Sequence, residues 1–247
     1  MSKTKNESIF SEEEMKEMVL NRLGERTGDE KTPSFLTVEQ MEEIEEEMSF
    51  WWGEEGGYVV HEITSEYVHT DVASFGKRDG PKTFATFGMC SRKMAVPENA
   101  PDWCGRRIEL VMRASPDVQI EIDEKKESKG IGEAAFACDE LGRTSKYPFR
   151  ERTWLGPFHT INASDEFKER FGYSYYLFIP YKETEIRGLG RVDFLQLIPV
   201  YEEERDWMAS RPNGSLLFLQ AYPDTLGDDQ DLLGWIDRPR DVILPED

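Results

Sequence analysis

Cysteine, histidine, basic charge and long apolar runs are all scarce in this chain of 247 residues, and each scarcity argues against a class of protein. The three cysteines, Cys90, Cys104 and Cys138, are odd in number and far apart. They cannot all pair within one chain, and no C-x-x-C clip is present. A disulfide framework and a zinc knuckle are therefore disfavoured, and a reducing cytoplasm fits best. No run reaches the ~18 apolar residues that a membrane span requires. The opening MSKTKNESIF lacks the apolar core of a signal peptide. Gly-x-Ser-x-Gly is absent, so Ser91 and Cys90 lack a nucleophile elbow, and no phosphate loop is present. Thirty Lys and Arg face fifty Asp and Glu, a formal net charge of −20. Nucleic-acid binding needs a basic footprint and is disfavoured.

The length suffices for one large domain or two small ones. Charged residues make up 32% and hydrophobic residues 38%, and an aromatic share of 12% offsets the shortage of aliphatic surface. The negative charge is uneven. Residues 1–57 hold 16 acidic and 6 basic side chains, residues 201–247 hold 12 and 4, and the middle holds 22 and 20. Such ends attract a basic protein partner, or serve solubility alone.

Ser11-Glu-Glu-Glu14 and Thr37-Val-Glu-Gln40 both fit capping boxes. Behind the second, Met41, Ile44, Met48 and Trp51 recur at helical spacing, with Glu42, Glu43, Glu45, Glu46 and Glu47 on the other side. That glutamate run is a solvated face or an acidic docking surface. Strands are expected at about 58–64, 67–75, 82–90 and 107–113, with His69, Asp71 and Phe75 on one strand. A helix is expected over 132–141 with a stop at Gly142, and an irregular aromatic stretch over 143–160. YSYYLFIPY (173–181) and RVDFLQLIPV (191–200) read as a strand pair joined through RGLG. A helix follows over 201–208. SLLFLQA (215–221) fits helix or strand, and the last twenty residues read as an acidic, partly ordered tail. Runs of strands among flanking helices indicate an α+β fold.

Three segments resemble the Suppressor of fused-like domain family, its bacterial members in particular. HEITSEYVHTDV with TFATFGMCSRKM (61–72 and 83–94) is similar to the family's H-E-I-V-S-x-x-V-H-x-D-V and T-x-x-T-x-G-M-S strands. RTWLGPFHTI (152–161) is similar to its N-T-W-L-G-x-x-H-T-I, and FLQLIPVYEEERDW (194–207) to its F-L-x-L-x-P-L-Y-x-E-E. Order and spacing agree across 55–240. Cys90 stands where the family usually has Ser, Arg152 where it has Asn, and residues 1–50 lie outside the match. No counterpart of the second, C-terminal domain of animal members is visible.

The resemblance implies a mixed, largely antiparallel sheet sandwich with flanking helices. The expected units are an acidic helical extension over 1–50, the domain over 51–240 and an acidic tail over 241–247. It implies a non-catalytic binding module that needs no cofactor. The bacterial members resemble immunity proteins of polymorphic toxin systems, which occlude a toxin domain in the cytoplasm. A basic toxin domain would suit the charge of this chain.

The candidate partner-binding residues are Tyr147, Trp154, Phe158, His159, Asp71, Glu202 and Glu203, with Glu204 and Asp206 beside the last two. Aromatics in irregular sequence are favoured binding anchors. In animal relatives the peptide-contacting part of the domain falls in the corresponding stretch, with aromatic counterparts of Tyr147 and Trp154. The same aromatics could instead plug the edge of the fold. Two other readings stand beside this one. The first is a metal- or His-dependent hydrolase using His69, Asp71 and His159, although neither H-E-x-x-H nor H-x-H occurs. The second is a cytoplasmic regulator that sequesters a transcription factor.

Overall fold

A computed structural model describes residues 33–53, 59–76, 79–118, 132–221, 234–237 and 240–245. The capping-box helix expected after Ser11 lies outside them. Helix α1 (Val38–Trp52) starts at the expected box: the Thr37 hydroxyl accepts from the Gln40 amide, and the Gln40 side chain accepts from the Thr37 amide. It crosses residue 50, where the resemblance put the end of the acidic extension, and Ile44 and Met48 are fully buried. Met41, expected on the same buried face, is exposed.

Seven strands form one sheet: β1 (Val59–Val60), β2 (Asp71–Phe75), β3 (Lys82–Phe87), β4 (Ile108–Ala114), β5 (Thr160–Asn162), β6 (Tyr175–Ile186) and β7 (Gly190–Val200). Their order is β1-β2-β3-β4-β7-β6-β5. Every pairing is antiparallel except β4 with β7, where Ile108 faces Asp193 and Val111 faces Gln196. The fold is thus a mixed, largely antiparallel sheet with helices on both faces.

Strand alternation sorts the core. On one face Val72, Phe84, Leu110, Leu195, Leu197 and Phe178 pack under helix α2 (Gly132–Arg150) and helix α3 (Asp165–Phe171). On the other, Ala73, Ala85, Val111 and Phe194 pack under α1. Farther along that second face, Leu177, Ile179, Ile198 and Val200 pack under helices α4 (Glu202–Ala209) and α5 (Gly214–Gln220). A register shift between Pro180 and Lys182 lets β6 serve both parts of that face, because one extra residue exchanges which side chains point where.

Several expectations need correction. Helix α2 does not stop at Gly142 but runs to Arg150, through Pro148 in its last turn. A mid-helix glycine costs only about 1 kcal/mol, and burial of Leu141, Thr144 and Ser145 around it outweighs that. Tyr147 is therefore a helical residue. Strand β2 begins only at Asp71, so His69 is not on it. Strand β3 ends at Phe87, where Gly88 takes a φ of 111° and leads into a 3-10 turn, Met89–Ser91. A Cβ at Gly88 would stand 2.5 Å from the His69 carbonyl, so both backbone angle and space require glycine. The ambiguous segment near 215–221 is helix α5.

Residues 235–237 are bound to the body. Trp235 and Ile236 are buried, the Ile236 amide donates to the Arg113 carbonyl, and the Asp237 carboxylate accepts from the Ser115 amide and hydroxyl.

Candidate protein-binding surface

The loop between β1 and β2 carries the most densely bonded polar side chains of the family-like segment. The Asp71 carboxylate meets His61 Nδ1 at 2.9 Å, His69 Nε2 at 3.2 Å and the Glu62 amide at 2.8 Å. The other ring nitrogen of His69 lies 2.9 Å from the Ser65 hydroxyl, which donates to Glu62 Oε2 at 2.7 Å. The same Glu62 oxygen accepts from the Thr70 amide at 3.0 Å and from Lys146 Nζ of α2 at 2.8 Å. Lys146 also donates to the Val68 carbonyl at 2.7 Å. This network ties the loop to α2. Phe35, in the segment before α1, stacks on the His69 ring.

Burial alone would raise the Asp71 carboxyl. Hydrogen bonds from His61 and His69, the His69 charge and the Glu62 amide outweigh that and hold it well below the usual carboxylate range. Its hydrogen bond to Asp71 raises His61. Asp71 is only 8% exposed and its oxygens are engaged, so it does not face a partner as expected.

A second buried carboxylate shapes the next turn. Glu109 accepts from the Thr86 hydroxyl at 2.5 Å and from the Gly88 and Cys90 amides at 2.9 and 3.0 Å. Desolvation raises its carboxyl, and these bonds oppose that rise. Burial, with Glu109 alongside, pushes the Cys90 thiol well up, which makes it inert rather than nucleophilic.

The expected aromatic residues divide between the two faces of the sheet. Tyr147 and Trp154 are half-buried against the α2 side. Trp154 lies so close over Gly156 that a Cβ there would collide with its ring, and its other neighbour is His159, 4.3 Å between centroids. Burial pushes His159 down. Phe158 turns to the opposite side and packs with the α4–α5 cluster. It does so with a φ of 69°, a conformation that costs a non-glycine residue about 1–2 kcal/mol. Its ring lies 6.3 Å from that of Trp103, a half-exposed residue that pattern reasoning passed over.

On α4, Glu202 and Glu203 are exposed. Glu204 is fully buried and does not face outward: it pairs with Arg240 and accepts from the Tyr201 amide at 3.0 Å and the Ile243 amide at 2.9 Å. Beside them α5 exposes Leu216 and Leu217 at 42% and 43%. Sequence reasoning missed both, because an apolar run gives no sign of which members stay uncovered.

Among the described residues, no group of three or more His, Cys, Asp and Glu could hold a metal ion. The hydrolase reading joins His159 to the His69–Asp71 pair, but the ring of His159 packs on Trp154, whereas His69 and Asp71 bond each other and the β1–β2 loop. No helix among the described residues is long and apolar enough to cross a membrane.

The family model for Suppressor of fused protein (SUFU) matches residues 66–226. The chain belongs to the Suppressor of fused family. A solved Suppressor of fused homologue from Neisseria gonorrhoeae FA 1090 aligns with a TM-score of 0.54 at 12% identity, covering 81% of this chain and 98% of its own. The Sufu–Fu complex structure aligns with a TM-score of 0.54 at 16% identity, covering 81% and 91%. These likenesses establish the Suppressor of fused fold. No curated protein matches by sequence.

Proposed function

We propose that this Suppressor of fused domain is a non-catalytic protein-binding module, and that it acts as an immunity protein covering a basic toxin domain in the cytoplasm. One observation carries the reading: the acidic helices and an exposed apolar strip share one face of the sheet. Helix α1 offers Glu42, Glu45 and Glu46, and α4 offers Glu202, Glu203 and Asp206, all exposed. Leu216 and Leu217 of α5 lie in the same layer, as does Phe158, whose carbonyl accepts from Ser215 at 3.3 Å. An apolar centre with a charged rim is the usual composition of a protein interface. The rim charges would steer a basic partner toward it. The family likeness adds weight, since one similar fold was solved as the Sufu–Fu complex.

The test is neutralisation. The immunity reading expects a toxin domain encoded beside the gene of this chain; co-expression with that domain should restore growth, and the purified pair should form a stoichiometric complex. Leu217→Asp should abolish the complex with little change in melting temperature. Glu202→Lys with Glu203→Lys should slow association, most at low salt, and leave dissociation nearly unchanged. Failure of the neighbouring domain to bind the wild-type chain overturns the reading.

A further inference from the structure

One cleft reverses the charge pattern of the molecule. In a chain of net charge −20, Lys93, Arg106, Arg107 and Arg191 line a single cavity of about 290 Å³. Glu98 and Asp102 are the carboxylates in the same lining, so cations outnumber anions there. The walls are the loop leading into β4 and the start of β7.

The four cations are not equivalent. Arg191 is neutralised: its Nε meets Asp193 Oδ1 at 2.5 Å, and its Nη2 meets Glu183 at 3.0 Å. Among the described residues, Lys93, Arg106 and Arg107 make no ion pair. Lys93 and Arg106 are exposed, and Arg106 donates from Nη1 to the Val96 carbonyl at 3.4 Å. Arg107 is half-buried, with one Nη1 bond to the Cys90 carbonyl at 2.6 Å and a buried Nε that has no partner. Burial pushes its guanidinium below the ordinary value, with no carboxylate to offset it. A partly desolvated cation without a counter-charge is unfavourable, and an anion in the cleft would relieve it.

The loop that presents these groups is built into place. The Asp193 amide donates to the Arg107 carbonyl at 3.1 Å. Gly105 sits so tightly on the Asp193 carboxylate that a Cβ there would collide with it. The neutral Arg191–Asp193 pair thus supports the backbone that carries Arg106 and Arg107.

We propose that this cleft binds a small oxyanion, a phosphate or carboxylate head group, with Arg107 at its floor and Lys93 and Arg106 at its rim. A cavity of 290 Å³ lies at the lower edge of small-ligand pockets, which start near about 300 Å³, and is too small for a folded partner. The guanidinium fork matches oxyanions in both charge and geometry. The field of the whole chain repels anions at a distance, so recognition rests on contacts inside the cleft. This proposal does not depend on the toxin reading.

The experiment titrates the full chain with pyrophosphate and, separately, with citrate, against sodium chloride of equal ionic strength. Calorimetry and thermal melting are the readouts. At about 100-fold excess over Kd, one of the two should raise the melting temperature by roughly 5 °C or more. The stronger response assigns the head group. Lys93→Ala with Arg106→Ala should weaken binding at least tenfold and leave the unliganded melting temperature unchanged. Arg107→Lys keeps the charge but loses the fork, and should also bind more weakly. The proposal is overturned if neither oxyanion saturates beyond the salt control, or if the double variant binds as tightly as the wild type.

Discussion

Replacing Glu204 by Ala should cost the fold far more than replacing its neighbour Glu203. Glu204 is fully buried, and four groups depend on its carboxylate. Both Arg240 guanidinium nitrogens donate to it, Nη2 at 2.9 Å, and the Tyr201 and Ile243 amides donate as well. Through these bonds it caps α4 and fastens residues 240–245 across it. The substitution leaves Arg240, 12% exposed at its side chain, without a counter-charge, and two amides without an acceptor. One-sided loss of a buried pair costs about 3–5 kcal/mol. In a chain of this size 1 kcal/mol moves the melting temperature by about 2–4 °C, so the fall should be roughly 6–20 °C. Glu203→Ala, at an exposed position, should stay within about 0.5 kcal/mol of wild type. Calorimetry with hydrogen exchange at the Ile243 amide measures both effects. Arg240→Ala combined with Glu204→Ala should cost less than the sum of the single losses, since the second deletion removes the stranded charge. A Glu204→Ala protein within about 1 kcal/mol of wild type, with Ile243 still protected, would refute the clasp.

The remaining predictions concern the loops. His61 is raised by its bond to Asp71, so its contribution is full below about pH 6.5 and fades as pH rises through the folded value. Asp71 is held low, so its contribution is full above about pH 4 and is lost as pH falls. The wild-type minus His61→Ala stability difference should therefore shrink from pH 6 to pH 8, and a constant difference contradicts the bond. His159, held low by burial, carries the opposite sign: it loses stability as pH falls below about 6.5, and His159→Phe should remove that slope. Gly88→Ala adds a Cβ against the His69 carbonyl at a φ of 111° and should destabilise by about 2 kcal/mol or more, read by denaturant midpoint. Arg152 has a φ of 52°, which Asn tolerates better, so Arg152→Asn should raise stability by about 0.5–1 kcal/mol; a decrease would reject the conformational argument.

What was legible in the sequence was local. The Thr37 capping box, the β6–β7 hairpin through RGLG and the acidic first turn of α4 each follow from interactions within a few residues, and each is present. The departures were tertiary. Nothing near Gly142 or Pro148 shows that α2 continues; its burial against β2, β3 and β4 decides that. The late start of β2 follows from Glu62, whose one carboxylate oxygen collects Ser65, Thr70 and Lys146. Glu202, Glu203 and Glu204 look alike in sequence, and it is the distant Arg240 and Ile243, 36 and 39 residues away, that make the third a core residue.

The same reasoning separates what identifies the family from what this protein does. The residues that carry the resemblance are largely occupied with one another. His61, Glu62, Ser65, His69 and Asp71 are joined by hydrogen bonds, Gly88 and Cys90 are held by Glu109, and Trp154 packs between Gly156 and His159. Side chains whose polar atoms are satisfied internally have little left for a partner. These internally bonded motif residues therefore serve the Suppressor of fused fold, and the proposed binding surfaces draw on exposed side chains instead. On the proposed docking face these are Leu216, Leu217 and the exposed glutamates, of which Glu202 and Glu203 lie inside the third family-like segment, and in the basic cleft they are Lys93 and Arg106. A fold whose signature residues are spent on its own architecture can change partners by changing its surface, and the proposed docking face is where such a change would act.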